Sequence, residues 1–280
     1  MKENIKISVI IPVYNRYEFL KEAVDSVLSQ DYNTELIVVD DGSTDETKKI
    51  STVPGIKYLR IDHSGMPGAV RNLGVRAADG RYIAFLDSDD LWKPGKIRKQ
   101  LELFSRNPEL RISHTREIWL KNNKIISQSK QRHKREGDIF NDALHKCIIG
   151  PSTVMMEKKL YEETGGFRED LEIAEDYEFW LRITRDNPIG YLNEALTIKR
   201  GGHNDQLSAK YGHIEFFRIQ GLMNLVEKKF FGSEKNRIAA KILSEKTRIY
   251  ALGCKKRGKN EEASKYEELS RKYRLLSLKN

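Results

Sequence analysis

Short apolar runs and amphipathic stretches alternate along the N-terminal third of the chain. Residues 5–11 and 35–39 are rich in β-branched side chains, which predicts two strands. Between them, apolar side chains at three- and four-residue spacing predict an amphipathic helix over residues 17–30. A strand, a helix and a strand are then expected over residues 57–61, 69–78 and 82–86. This alternation predicts an α/β fold with a Rossmann-like, mainly parallel sheet and helices on both faces.

The turns between these elements contain proline and short polar side chains. Pro12 is expected to end the first strand, because it lacks a backbone N–H, and residues 13–16 then form a loop. Ser43 or Thr44 is expected to cap a short helix after the second strand. Because ligands bind beyond the carboxyl ends of parallel strands, the loops after the strands should converge on one site. These loops are residues 12–16, 40–44 and 87–90.

Three carboxylates crowd into four residues after the strand over residues 82–86. Asp87 and Asp89 alternate about the strand exit, so their side chains can lie on one side of the backbone. Carboxylates this close repel one another unless a cation lies between them, and their hard oxygens suit Mn²⁺ or Mg²⁺. The alternative is an acidic turn or helix cap, and Asp90 in particular is expected to cap the next helix.

The pattern changes after a helix expected over residues 94–106. Residues 110–128 predict a hairpin around Asn122 and Asn123. Further elements are expected at 138–147 (helix), 153–156 (strand), before Gly165-Gly166 (helix), at 173–185 (helix) and at 189–198 (extended). From about residue 211 onward the chain is expected to be helical, with breaks near Gly232 and Gly258.

Composition indicates a soluble globular protein, and its length allows one large domain or one domain plus an appendage. The chain has 280 residues, of which 39% are hydrophobic and 32% charged, and no apolar run approaches the length of a membrane span. The N-terminus shows no signal-peptide pattern, which predicts a cytoplasmic location. Cys147 and Cys254 lie far apart without metal-ligand spacing, so both are interpreted as reduced thiols.

The positive charge of the chain is concentrated at its C-terminal end. Residues 206–280 contain 18 Lys and Arg against 8 Asp and Glu, whereas residues 1–205 contain 32 against 33. A basic patch confined to a helical tail argues against a whole-protein nucleic-acid interface. The tail, including Lys255, Lys256, Arg257 and Lys259, is expected to attract an anionic membrane surface at the inner face of the membrane, or to form a homodimer.

Five stretches in order resemble family 2 glycosyltransferases, which use nucleotide sugars and have the GT-A fold. The stretches are Val9–Arg16, Val38–Asp45, Gly68–Gly74, Phe85–Asp90 and Glu175–Arg182. Each is weak alone, but five in the family's order and spacing are specific, and they cover roughly residues 5–205. The resemblance implies a nucleotide-sugar-binding half (1–112), an acceptor-binding half (113–205) and a helical C-terminal extension (206–280).

The resemblance implies a donor site for a nucleoside-diphosphate sugar, with a UDP-sugar favoured. Asp87 and Asp89 match the family's DxD motif, which binds Mn²⁺ or Mg²⁺ together with the donor diphosphate; Asp89 would be the direct ligand and Asp87 would lie nearer the ribose. Asp41 would read the edge of the base, and Arg71 would lie near the phosphates. The donor-binding set is completed by Pro12, Val13, Tyr14, Asn15, Arg16 and Ser88.

The same resemblance implies an inverting transfer to an acceptor hydroxyl. Asp176 would be the general base, and Glu175 would orient the acceptor or raise the pKa of that base. The alternative is two acids favoured by the dipole at a helix N-terminus. His203, in the loop that follows the last strand, would complete the metal shell or contact phosphate, unless it is only a surface histidine.

The acceptor side of the family varies, and here it is expected to include a basic loop. Its residues are Trp119, Lys130, Arg132, His133 and Arg135. The expected acceptor is a glycan or a lipid-linked sugar of cell-surface polysaccharide synthesis. The competing interpretation, a non-catalytic or dinucleotide-binding module, lacks the Gly-x-Gly-x-x-Gly turn after the first strand and leaves both acidic pairs unexplained.

Overall fold

The computed structural model describes residues 6–122, 124–128, 133–202 and 214–278. The strands are β1 (Ile7–Val13), β2 (Glu35–Asp40), β3 (Ile56–Arg60), β4 (Tyr82–Phe85), β5 (Leu91–Trp92), β6 (Ile112–Lys121), β7 (Lys124–Ile126), β8 (Val154–Glu157) and β9 (Gly190–Gly201). The helices are α1 (Tyr17–Leu28), α2 (Pro67–Arg76), α3 (Lys96–Arg106), α4 (Phe140–His145), α5 (Lys158–Thr164), α6 (Glu175–Thr184), α7 (Ile214–Glu227), α8 (Gly232–Lys256) and α9 (Asn260–Ser277). Two 3₁₀ segments are Glu46–Thr52 and Pro151–Thr153.

The described strands form one sheet in the order β3-β2-β1-β4-β8-β6-β9-β5, with β7 paired to β6. The first four strands in this order are parallel, as the strand–helix alternation predicts. Beyond β4 the sheet is mixed, because β8 is antiparallel to both β4 and β6, whereas β9 is parallel to β6. The α/β class is therefore confirmed. The β6–β7 pairing also confirms the predicted hairpin.

The expectation that Pro12 ends the first strand is wrong. β1 continues to Val13, and Pro12 lies opposite Val39 in the register with β2. The carbonyl of Ile10 accepts from the N–H of Leu86 on the β4 side, and Pro12 faces that same side by the alternation of the strand. Because β4 ends at Phe85, the missing N–H of Pro12 costs no hydrogen bond within the sheet.

The two faces of the sheet bury two separate apolar cores. Ile10 of β1 packs on one face with residues of α2 and α6, whereas Val9 and Ile11 pack on the other with residues of α1 and α3. A central parallel strand that is buried on both faces favours apolar residues at successive positions, which explains the run from Val9 to Ile11. The predicted burial of the sheet on both faces is confirmed.

The short helix after β2 differs from its prediction. It is a 3₁₀ segment that begins at Glu46, and its N-cap is Asp45, whose side chain accepts from the N–H of Thr47. Neither expected cap serves this helix: Ser43 Oγ accepts from the N–H of Asn15 in the loop after β1, and the N–H of Thr44 donates to Asn15 Oδ1. The turn after β2 therefore makes hydrogen bonds to the loop after β1. The helix cap is Asp45, which follows this turn.

The C-terminal helices share a hydrophobic core with the rest of the protein. Leu222 of α7 and Leu243 of α8 cluster with Leu144 of α4 and with Tyr177 and Leu181 of α6. The extension thus packs against the helix that begins at Glu175. The predicted boundary near residue 205 lies outside the described residues and stays a prediction. Within the described ranges, no helix is long and apolar enough to cross a bilayer.

Candidate active site

The loops after β1, β2 and β4 are joined by hydrogen bonds between their own side chains. Asn15 Oδ1 accepts from the N–H of Thr44 at 2.7 Å, and Asn15 itself has a positive φ of 49°. Arg16 Nη1 lies 2.5 Å from Asp89 Oδ2 in the loop after β4. The structure therefore brings together the three strand ends that the topology predicts to converge. Pro12 and Val13 lie at the end of the strand that leads into this edge.

The acidic loop after β4 is held in place from behind by Ser152. Its Oγ donates to Asp90 Oδ2 at 2.6 Å and accepts from the N–H of Asp87 at 3.0 Å. Asp90 also accepts from the N–H of Arg200 at 2.9 Å and is buried. The interpretation of Asp90 as a helix cap is wrong, since α3 begins after Gly95 and Asp90 instead anchors this loop to β9. Ser88 is buried between the two carboxylates of the motif.

Arg71 lies between the acidic loop and the start of α6. Its Nη2 is 2.7 Å from Asp87 Oδ1, and its Nη1 is 2.5 Å from Glu175 Oε1. Arg71 and Glu175 are both buried, and Arg71 Nε has no hydrogen-bond partner among the described residues. One guanidinium therefore connects the two acidic pairs that the sequence singles out. In this arrangement its terminal nitrogens hold carboxylates, which adds a role to the expected contact with donor phosphates.

Burial and neighbouring charges separate the pKa values of these carboxyl groups. Burial raises the pKa of Asp87, but the charges of Arg71 and Lys199 outweigh it and hold that pKa below its usual range. Burial dominates at Asp89, whose pKa is raised despite Arg16. Burial also raises the pKa of Glu175 to about 7, against the opposing charge of Arg71. The sequence predicts that Glu175 raises the pKa of Asp176. In the structure, the raised pKa is that of Glu175 itself.

Asp176 lies at the first turn of α6, partly exposed, beside the buried Glu175. The thiol of Cys147 lies 3.4 Å from Asp176 Oδ2, and the backbone N–H of Tyr177 lies 2.6 Å from Asp176 Oδ1. Burial and the charge of Asp176 raise the pKa of the Cys147 thiol well above its usual range. A partly exposed carboxylate at a helix start, next to a protonated thiol, is suitably placed to accept a proton from an incoming hydroxyl.

Asp41 holds the loop that follows β3. Its carboxylate accepts from the N–H and Oγ of Ser64, both at 2.8 Å, and from the N–H of Gly65 at 2.9 Å. The ring of His63 stacks on Tyr14, with centroids 3.9 Å apart. Neighbouring Asp40 caps the turn by accepting from the N–H of Ser43 at 2.8 Å. Asp41 and Tyr14 thus lie beside one another's loops, and Tyr14 is 40% exposed.

The metal assignment depends on the donor set of the acidic loop. Within the described ranges, no three His, Cys, Asp or Glu side chains are grouped closely enough to hold a metal ion by themselves. Asp87 Oδ1 and Asp89 Oδ2 face arginines, so each carboxylate retains a second oxygen. Mg²⁺ is commonly bound by one or two carboxylates that are supplemented by substrate phosphates and water. The residues present therefore fit a metal that arrives with a diphosphate.

The acceptor-side predictions are only partly described by the structure. His203, Lys130 and Arg132 lie outside the described residues. Trp119 of β6 is 40% exposed and donates from Nε1 to Glu117 Oε1 at 2.5 Å. The carbonyl of Arg135 lies 2.7 Å from a ring nitrogen of His114, and burial lowers the pKa of His133 to about 4. Of the residues expected on the acceptor side, Trp119 is therefore a described one whose aromatic ring is exposed to solvent.

Sequence reasoning did not single out Ser152, Lys199 or Arg200. Arg200 donates to the carbonyl of Asp89 and to Glu22, and Lys199 lies within the electrostatic reach of four carboxylates. Both belong to β9. In the sequence, charged residues of a strand suggest an exposed face, so these two give no reason to expect a role in the site. The sequence does contain one signal for them: Lys199 and Arg200 are adjacent near the end of a strand, and ligand sites of such sheets lie at strand ends.

Comparison with known proteins gives the following matches. The model of the family described as Glycosyl transferase family 2 matches residues 8–165. An uncharacterized glycosyltransferase of Rickettsia felis is 37% identical over 206 residues, which are 71% of this chain and 34% of that protein. The Escherichia coli enzyme UDP-Glc:alpha-D-GlcNAc-diphosphoundecaprenol beta-1,3-glucosyltransferase WfgD is 34% identical over 67% of this chain and 73% of its own length. The putative teichuronic acid biosynthesis glycosyltransferase TuaG of Bacillus subtilis is 35% identical over 73% of this chain and 82% of its own length.

Two solved structures show the same fold at low sequence identity. S. aureus TarS in complex with UDP-GlcNAc superimposes with a TM-score of 0.66 at 19% identity, covering 96% of this chain and 92% of that one. The mannosyltransferase PcManGT of Pyrobaculum calidifontis, in complex with GDP-Man and Mn²⁺, gives a TM-score of 0.62 at 16% identity, covering 99% and 89%. The GT-A architecture predicted from the motifs is thereby confirmed. The chain spans about a third of the length of the Rickettsia felis relative.

Proposed function

The chain belongs to glycosyl transferase family 2, and we propose that it moves a sugar from a nucleoside-diphosphate sugar, with a UDP-sugar favoured, to an acceptor hydroxyl. The observation that carries this proposal is the bridge formed by Arg71 between Asp87 and Glu175. It fixes the acidic loop of the donor half at the start of the helix that carries Asp176. A donor diphosphate and an acceptor hydroxyl can therefore meet across one short cleft.

On the donor side, Asp87 and Asp89 would hold Mn²⁺ or Mg²⁺ together with the diphosphate. When bound, the metal neutralises charge that develops on the leaving diphosphate. Tyr14 would stack against the nucleoside and Asp41 would recognise its base edge, and the proximity of both residues to the loops after β1 and β2 supports these roles. Ser152 holds the backbone N–H of Asp87, Arg71 holds the Asp87 carboxylate, and Arg16 holds the Asp89 carboxylate, so the loop is already ordered without the donor.

On the acceptor side, Asp176 would take the proton of the attacking hydroxyl. The new bond to the anomeric carbon forms on the face opposite to the departing diphosphate, which inverts its configuration. Glu175, tied to Arg71, is a positioning residue for this helix start. Among the relatives, WfgD is named for transfer to a GlcNAc-diphosphoundecaprenol and TuaG for teichuronic acid synthesis. We accordingly propose a lipid-linked or glycan acceptor in cell-surface polysaccharide synthesis, reached at the membrane surface.

The donor assignment is tested by thermal unfolding in the presence of UDP, GDP and Mn²⁺. At a hundredfold excess over its Kd, a ligand of the folded state adds about 2.7 kcal/mol to the free energy of unfolding. UDP with Mn²⁺ should therefore raise the Tm of the wild-type chain by several degrees, and UDP with EDTA should raise it much less. Asp89→Asn should abolish the difference between Mn²⁺ and EDTA.

Asp25→Asn is the matched control, because Asp25 is an exposed aspartate of α1 outside the site. This variant should respond to UDP and Mn²⁺ as the wild type does. If neither nucleotide shifts the Tm of the wild type with Mn²⁺, the proposed donor class is wrong. If Asp89→Asn keeps the full metal dependence, the metal assignment alone is wrong.

A further inference from the structure

Lys199 enters the site from the strand that closes the acceptor half. It lies on β9 opposite Trp119 of β6, and it precedes Arg200, whose backbone N–H holds Asp90. Side chains alternate along a strand, so the two cations point to opposite sides of the sheet. Arg200 reaches Glu22 and the ring of Phe19 on the α1 side. Lys199 therefore faces the other side, toward α6.

Gly150 shows where the end of the Lys199 side chain lies. A Cβ placed on Gly150 would be 3.6 Å from Lys199 Nζ and 3.1 Å from Glu117 Oε2. The ammonium and this carboxylate oxygen thus flank the same glycine, two residues before Ser152, which anchors the acidic loop. Glu117 Oε2 is buried without a hydrogen-bond partner among the described residues. A side chain at residue 150 would compete for the space that these two groups share.

The charges around Lys199 come from both sides of the cleft. Burial alone would lower its pKa, but Asp90, Glu117, Asp87 and Asp176 together raise that pKa above its usual value. The side chain is therefore a cation at neutral pH. Asp87 follows β4 and Asp176 lies in the first turn of α6, so the ammonium is attracted by carboxylates of both elements. In the part of the chain that the structure describes, no hydrogen bond or ion pair within 4.0 Å is made by its Nζ.

An ammonium carries three N–H donors and forms strong, charge-assisted bonds to phosphate oxygens. The other cations of the site already hold carboxylates: Arg71 holds Asp87 and Glu175, and Arg16 holds Asp89. Lys199 is a cation at this cleft whose donors remain available. Its electrostatic neighbours include both Asp87 of the acidic loop and Asp176, the two groups between which the bond from sugar to diphosphate would lie in the proposed transfer.

We propose that Lys199 is a catalytic residue that binds the sugar-linked phosphate of the donor and stabilises it as the leaving group. The inference rests on the proposed function and deepens it. The bond between the anomeric carbon and the phosphate oxygen breaks, and its electron pair stays on that oxygen. The bond from the acceptor oxygen to the anomeric carbon forms, and the acceptor proton passes to Asp176. Lys199 keeps its proton and donates a hydrogen bond to the departing phosphate.

The test compares the binding of UDP and UMP, because only UDP carries the second phosphate. Affinities are measured by calorimetry with Mn²⁺ for the wild type, Lys199→Met and Lys199→Arg. Loss of one hydrogen bond to a charged group should raise the Kd for UDP by at least about tenfold in Lys199→Met. The Kd for UMP should change by less than about twofold, and Lys199→Arg should recover part of the affinity for UDP.

Lys121→Met is the control, since Lys121 is an exposed lysine at the end of β6. It should leave both affinities unchanged. Wild-type affinity for UDP in Lys199→Met overturns the role of Lys199 and leaves the proposed function standing. An equal loss of UMP and UDP affinity also overturns it, because the residue then acts on the fold or the nucleoside. A wild type that binds neither UDP nor GDP removes the proposed function and this inference together.

Discussion

Arg71 shows how a single residue of the sequence motif serves two parts of the site. The sequence places it in the helix before the acidic strand, and the resemblance assigns it to the donor phosphates. The structure shows a buried guanidinium that neutralises one carboxylate of the acidic loop and one at the start of α6. Removal of one partner from a buried ion pair leaves uncompensated charge, which is more costly than loss of a surface pair.

Arg71→Met should therefore destabilise the protein by about 3–5 kcal/mol, because Asp87 and Glu175 would both lose their buried counter-charge. Chemical denaturation at neutral pH measures the free energy of unfolding. Arg76→Met, an exposed arginine of the same helix paired with Glu169, should cost no more than about 1 kcal/mol. Similar losses in the two variants would show that the bridge contributes nothing beyond an ordinary surface pair.

The residues of the site divide into those that sequence can predict and those that it cannot. Asp41, Asp87, Asp89 and Asp176 stand in local patterns; the structure places the first three after the ends of strands and Asp176 at the start of α6. Ser152 and Lys199 have no such local pattern. Their contribution depends on β8 and β9 lying beside β4 and β6, which is a property of the strand order rather than of their own neighbours in sequence. The same holds for Pro12, which is tolerated in β1 because β4 ends early.

At the scale of elements, helix α2 links the two halves of the site. Its last glycine, Gly74, faces Ile10, and a Cβ there would be 2.4 Å from Ile10 Cγ2. Its first glycine, Gly68, faces the carbonyl of Arg168, and a Cβ at this position would be 2.6 Å from that carbonyl oxygen. Asn72 between them donates to the carbonyl of Phe167 at 2.8 Å. The two glycines of the motif therefore allow α2 to approach the sheet on one side and the loop before α6 on the other.

Helix α3 begins with a lysine that is fully buried. Lys96 Nζ donates to Gln100 Oε1 at 2.7 Å and lies 4.1 Å from the ring centre of Trp92, whose Nε1 donates to the carbonyl of Ser152. Burial lowers the pKa of Lys96 well below its ordinary value of 10.5. The side chain is part of the packing behind the acidic loop, and its charged form is disfavoured there.

Lys96 should make the stability of the protein depend on pH. Between the lowered pKa of the folded state and 10.5, the unfolded chain holds a proton on this amine that the folded chain releases, so the free energy of unfolding rises with pH there. The slope is up to about 1.4 kcal/mol per pH unit between the folded-state pKa and the unfolded one. Lys96→Met removes this contribution, so its unfolding free energy from pH 6 to 9 should rise less steeply than that of the wild type.

Denaturant titrations at pH 6, 7, 8 and 9 measure this difference in slope. Lys99→Met, in the same helix but partly exposed and paired with Glu194, should keep the wild-type slope. At the acid end of the range, Lys96→Met should gain stability relative to the wild type, because the wild type must bury an amine that water would protonate. Parallel slopes for all three proteins would mean that Lys96 remains charged in the fold.

At the scale of the molecule, the fold brings two chemical halves to one edge of a single sheet. The parallel half supplies the loops after β1, β2 and β4, and the mixed half supplies β9 and the start of α6. The C-terminal helices add a core that reaches Leu144, Tyr177 and Leu181, and so support α6 from outside. The alternation of strands and helices predicts the first half. The order of β8, β6 and β9 depends on tertiary pairing that no local pattern encodes.

The central claim is that Asp176 takes the acceptor proton during transfer from a nucleotide sugar. The most direct measurement is nucleotide release from UDP-glucose, UDP-GlcNAc and GDP-mannose, with Mn²⁺ and a GlcNAc-diphosphate lipid as acceptor. A general base typically contributes about 10²–10⁴ in rate, so Asp176→Asn should lower turnover by that factor while its affinity for UDP stays at the wild-type value. Asp25→Asn should match the wild type. Turnover by Asp176→Asn at the wild-type rate would contradict the account.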